Sequence, residues 1–122
     1  MSNIQPLSSS LEKASKATLN IAHVGDFDVI RNNEHSFSVK YLKTSEIIVD
    51  NLYLFSAAMA IALSLKDHDI ELARNYIQLE NIYVKHVTKM RFYKNSNKWD
   101  LYENELMEAK SILNIFHSKM AL

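Results

Sequence analysis

Cysteine is absent from the 122 residues, and glycine and proline occur once each, as Gly25 and Pro6. The first absence excludes a disulfide scaffold, thiol chemistry and a cysteine-ligated zinc site. It agrees with a reducing, cytoplasmic setting. The scarcity of glycine and proline argues against a β-sandwich or barrel, whose tight turns recruit both. It favours a few long elements, and that means helices. Net charge is also missing, with 14 basic and 14 acidic side chains. A nucleic-acid binder usually carries a positive balance, so any such role must rest on locally segregated charge. The longest apolar run, Leu52 to Leu65, falls short of the roughly 20 residues that a membrane span needs. Extended back to Ile47 it takes in Asp50 and Asn51, so a buried helix is expected and no membrane partner. Met1 to Ser10 lacks the basic-then-apolar order of a secretory signal and reads as a flexible tail.

What remains has the composition of one ordinary domain over 11–122, with 48% hydrophobic and 23% charged residues. Lysine far outnumbers arginine, and asparagine and isoleucine are frequent, the bias of an AT-rich source such as a phage or another mobile element. Ser8-Ser9-Ser10 offers a cap for a helix from Leu11 to about Val24, with Gly25 as its C′ residue. The segment 26–43 is ambiguous. Phe37, Val39 and Tyr41 alternate with polar residues, but a lone strand has nothing to pair with, so irregular structure or helix is favoured.

From Thr44 onward the periodicity is helical. Thr44 or Ser45 caps a helix to about Lys66, in which Leu52, Phe55, Met59, Ala62 and Leu65 recur at three- and four-residue steps. Apolar nearly all round, this should be the central helix. A second follows from Ile70 to about Phe92 and a third from Lys98 to about Met120, joined by short turns that make them antiparallel neighbours. The expectation is an all-α bundle of three long antiparallel helices with an N-terminal helical segment. Its central helix is hard to cover with so few neighbours, which predicts a homodimer.

Chemistry has little foothold. His68-Asp69 resembles the pair of the histidine–aspartate metal phosphohydrolases, with His35 and Asp100 available as outer ligands. The family's pair sits inside an apolar helix, whereas this one lies in the polar Lys66-Asp67-His68-Asp69. An interhelix turn with Asp69 as a helix cap is therefore expected. No Gly-x-Ser-x-Gly elbow and no glycine-rich phosphate loop occur. No catalytic residue, cofactor or metal is predicted, and the protein reads as a non-enzymatic adaptor, chaperone or inhibitor that docks on another protein.

The most informative charge feature is the segment 85–99. Lys85, Lys89, Arg91, Lys94 and Lys98 occur there with no acid among them, beside Tyr93 and Trp99. Basic groups interleaved with aromatics can grip phosphates and stack bases, so a small DNA- or RNA-binding regulator is the runner-up. Against it, the last helix opens with Asp100, Glu103, Glu105 and Glu108, and in an antiparallel hairpin these acids would lie beside the basic end.

Overall fold

The computed structural model describes residues 19–121, so the tail over 1–10 and most of the first expected helix lie outside the described residues. Four strands come first: β1 (Leu19–Val24), β2 (Phe27–Asn33), β3 (Ser36–Tyr41) and β4 (Glu46–Leu52). They form one antiparallel sheet in the order β1-β2-β3-β4. Three helices follow: α1 (Phe55–Lys66), α2 (Ile70–Asn95) and α3 (Trp99–Met120). The chain is therefore α/β, not an all-α bundle of three helices. The sheet replaces the end of the expected N-terminal helix, all of the ambiguous segment, and the first third of the expected central helix.

Each replacement has a local cause. Gly25 stands at the first of two turn positions between the paired Val24 and Phe27, with φ +58°, which suits a type II′ hairpin turn. It does not end a helix. The β2–β3 connection is closed by Asn33, whose Oδ1 accepts the His35 N–H at 2.9 Å. Thr44 caps no helix, contrary to expectation: its Oγ1 accepts the Glu46 N–H inside the β3–β4 loop, where Ser45 takes φ +61°. Asparagine, serine and threonine thus make the turns that glycine and proline were expected to make.

Register then sorts the side chains. Val29 pairs with Val39, and Val39 with Val49, so one face of the sheet is lined by Val24, Val29, Phe37, Val39 and Leu52. On the other face Ser38 receives a hydrogen bond from Asn32 Nδ2 at 2.7 Å and donates to Asp50 Oδ1 at 2.6 Å. The period-two signal at Phe37, Val39 and Tyr41 was a genuine strand, with neighbours on both sides.

Helix α1 is central, as its apolar circumference predicts. It packs against all four strands and also against α2 and α3. Ala57, Ala58, Ala60, Ile61 and Ala62 are fully buried, and the small side chains let both layers approach closely. The apolar surface that was expected to require a second copy is covered within the chain, which removes the sequence argument for a dimer. None of the described helices is long and apolar enough to cross a membrane.

A buried acid holds this layer arrangement together. Leu54, the N-cap residue of α1, offers no side-chain cap, because leucine has no acceptor. Glu80, in the middle of α2 and 2% exposed, supplies one instead. Its Oε2 accepts the Tyr53 N–H at 2.8 Å and the Leu54 N–H at 2.9 Å. Desolvation raises the Glu80 pKa, and the two backbone hydrogen bonds only partly oppose it. The folded state therefore binds this proton more readily than the unfolded chain. Stability from this group is greatest below the ordinary carboxylate range and falls as pH rises through the raised folded pKa. Replacing Glu80 by Ala should cost about 2–4 kcal/mol in urea unfolding, since two backbone N–H groups lose their acceptor. Replacing it by Gln, which keeps an acceptor, should cost less and should flatten the fall in stability over that pH window.

Candidate docking surface

Helix α2 has 26 residues and α1 has 12, so α2 is about 39 Å long against about 18 Å. The mismatch decides the shape of the molecule. Buried α2 side chains are Ala73, Tyr76 and Glu80, all in its first half, and those of α3 are Ala109, Ile112 and Phe116, from its midpoint onward. Between Glu80 and Ala109 no described side chain is fully buried. This stretch is a two-helix arm held along a single seam.

The seam is built from half-buried Tyr83, Val84, Val87, Met90, Tyr102 and Leu106, which recur at helical spacing. Near its middle His86 Nδ1 and Glu105 Oε1 meet at 2.6 Å, both mostly shielded from solvent. Arg91 Nη2, near the far end of α2, donates to the Tyr53 hydroxyl at 3.2 Å, a contact from the arm back to the β4–α1 junction. The Tyr53 ring in turn stacks on His35 with centroids 4.7 Å apart. Burial raises the pKa of Tyr83, which packs 6.2 Å from Tyr53, and the neighbouring Tyr53 and Glu80 add to the effect.

The far end is closed by backbone geometry. Asn97 takes φ +57°, the Lys98 N–H bonds the Tyr93 carbonyl at 2.8 Å, and the Asn97 N–H bonds the Lys94 carbonyl at 3.2 Å. That is a Schellman ending with asparagine in the position glycine usually takes. The turn holds Phe92 and Trp99 outward, 61% and 50% exposed. Each touches a tyrosine edge-on: Phe92 meets Tyr93, and Trp99 meets Tyr102. Leu101 and Met107 add further exposed apolar surface on α3.

The structure brings Lys85, Lys89, Arg91, Tyr93, Lys94, Lys98 and Trp99 onto this one arm. The five cations are exposed, and none forms an ion pair among the described residues. Tyr93 is half-buried in the seam. The acids of α3 lie alongside, yet only Glu105 is engaged, and by His86. The arm thus presents a basic helix and an acidic helix side by side. Phe92, expected as the approximate end of the helix, joins this surface. Its position in the series Lys85, Lys89, Phe92, at four- and three-residue steps, puts it on the same exposed stripe.

No protein-family model, curated protein or solved structure matches this chain. The chemistry of the arm therefore has to be read from its own side chains.

The residues of the metal reading are scattered. His68 takes φ +60° as the residue ending α1, where Asp69 N–H bonds the Ser64 carbonyl at 2.8 Å and His68 N–H bonds the Leu65 carbonyl at 3.0 Å. Asp69 caps α2, its Oδ1 accepting the Leu72 N–H at 3.1 Å. His35 lies in the β2–β3 turn against Tyr53, and Asp100 lies at the opposite end of α2 from Asp69. No cluster of three potential metal ligands occurs among the described residues.

An arm without a buried core should open locally before the rest of the fold does. Amide hydrogen exchange should show α1 protected to the global unfolding free energy. Amides over 86–95 and 103–107 should exchange through a smaller opening. Equal protection of both regions would contradict a single-seam arm.

Proposed function

We propose that this is a non-enzymatic docking protein that binds another protein through the far end of the α2–α3 arm. The carrying observation is the juxtaposition of Phe92 and Trp99, both exposed, with the unpaired Lys85, Lys89, Lys94 and Lys98 on a segment that has no buried core of its own. Aromatic anchors inside a polar rim are the side chains that carry most of the energy in protein interfaces. The basic rim steers an acidic partner surface toward them. The acids of α3 favour a protein partner over a polyanion, because a nucleic-acid backbone laid along the arm would meet repulsion from Asp100, Glu103 and Glu108.

Trp99 is the only tryptophan in the chain, so its fluorescence reports directly on docking. A partner recovered with the wild-type protein should shift that emission and remain bound at high salt. Replacing Trp99 by Ala should weaken the complex by about 2 kcal/mol, close to thirtyfold in Kd. Replacing Phe92 by Ala should act in the same direction. The reading fails if duplex DNA binds instead, weakens steeply with salt, and is lost when Lys89, Arg91 and Lys94 are all changed to Glu. That outcome would assign the arm to nucleic acid.

A further inference from the structure

A second feature lies at the other end of α2 and owes nothing to the arm. The β1–β2 turn, the end of β3, β4 and the α1–α2 junction line an open cleft of about 420 Å³, within the range of small-ligand sites. Its apolar lining is Phe27, Tyr41, Ile48, Leu65 and Ile70. The Phe27 and Tyr41 rings stand 5.3 Å apart with a 31° tilt, offering an aromatic wall. Its polar lining is Asp26, Lys43, Lys66 and His68. Asp26 is engaged by Lys43 at 3.8 Å. Lys66 and His68 form no ion pair among the described residues, so the mouth holds an uncommitted ammonium with an imidazole beside it.

The position of Lys66 is set by the fold. Its Cγ would lie 2.9 Å from a Cβ built on Gly25, so the side-chain stem rests directly on the hairpin turn. A side chain at residue 25 would push the stem away, and φ +58° disfavours one there in any case. Gly25 thus serves two ends, the turn and the placement of an ammonium group beside an apolar cavity. A binding site needs both an apolar body and a few placed polar groups.

We propose that this cavity binds a small amphipathic anion, with an aromatic or short aliphatic body and a single carboxylate or similar oxyanion. The body lies against Phe27, Tyr41, Ile48 and Ile70, and the anion faces the Lys66 ammonium and the His68 imidazole. A cationic ligand of the same shape meets Lys66 with like charge, and a neutral one forgoes the attraction between opposite charges.

The test uses the intact protein and three ligands of one shape: phenylbutyrate, phenylbutanol and phenylbutylamine. Each is titrated into nitrogen-labelled protein and followed by amide chemical shifts. Phenylbutyrate should bind one per chain with Kd of about a millimolar or tighter, moving the amides of Gly25, Asp26, Ile48, Lys66 and His68. The alcohol should bind about tenfold more weakly and the amine more weakly still. Lys66→Gln should bring the acid down to the level of the alcohol, and Lys66→Glu should favour the amine. Thermal melting checks that both variants, changed at an exposed residue, remain folded. The Phe92→Ala and Trp99→Ala proteins should bind phenylbutyrate normally, which separates this site from the arm. The proposal is overturned if no ligand saturates, if all three bind alike, or if the shifts map to the arm.

Discussion

The layers of this protein meet at one carboxylate. Glu80 accepts the backbone N–H groups of Tyr53 and Leu54 from across a helix interface, and so joins the last strand, the start of the central helix and the middle of α2. A helix beginning Leu-Phe-Ser-Ala has no side-chain acceptor of its own at the cap, and the Tyr53 and Leu54 N–H groups leading into it would otherwise lack this partner. Burying an ionisable group to satisfy them is an expensive solution, which the raised pKa records. It also fixes register, because only one turn of α2 can sit against that junction. Once Glu80 is placed, Arg91 falls beside Tyr53, and α2 is committed to continue past the sheet. The arm is a consequence of where this cap sits along a 26-residue helix.

The same cap explains what could be read from the sequence and what could not. The helical half was legible from period alone. Asp69 as a cap and the central place of the helix ending at Lys66 follow from apolar spacing and local turn chemistry, whereas α2 runs on to Asn95, past its expected end near Phe92. The strand half was lost through one inference, that a chain poor in glycine and proline has few turns. Asn33, Thr44 and Ser45 supply the side-chain hydrogen bonds or the positive φ that those turns require. Gly25-Asp26 between apolar segments was itself a hairpin signal, and the β-branched run Ile47-Ile48-Val49 was a strand signal. Both were overridden by the greasy stretch that follows. Periodicity does not show where a strand stops and a helix starts when both are apolar. That boundary is drawn by Glu80, a residue far away in sequence, and no local window contains it.

The candidate sites divide along the same line. The basic segment was legible because its residues are contiguous, and the structure adds that the cations form no ion pair among the described residues and that Phe92 shares their exposed stripe. The cavity at the other end was not legible, because its residues come from the β1–β2 turn, β3, β4 and the α1–α2 junction and meet only once the sheet exists. His68 was singled out from the sequence for metal chemistry. Its backbone ends a helix and its side chain lines an apolar cavity beside Lys66, a different use of the same residue.

Placing two sites at opposite ends of α2 has a mechanical consequence. A ligand held at Lys66 and His68 contacts the turn before α2, whereas a partner held at Trp99 contacts the turn after it. Between them Glu80 clamps the helix beside the end of the sheet, and Arg91, further along α2, hydrogen-bonds Tyr53 as well. A rigid helix clamped at its middle transmits little of a local shift at one end to the other. Coupling would require two discrete arrangements of α2 against α1, and neither site biases one unless its ligand binds the two arrangements unequally. The fully buried alanines of α1 leave no slack for a second packing. The physical expectation is therefore two independent sites on one scaffold, and the buried carboxylate that builds the arm is also what isolates it.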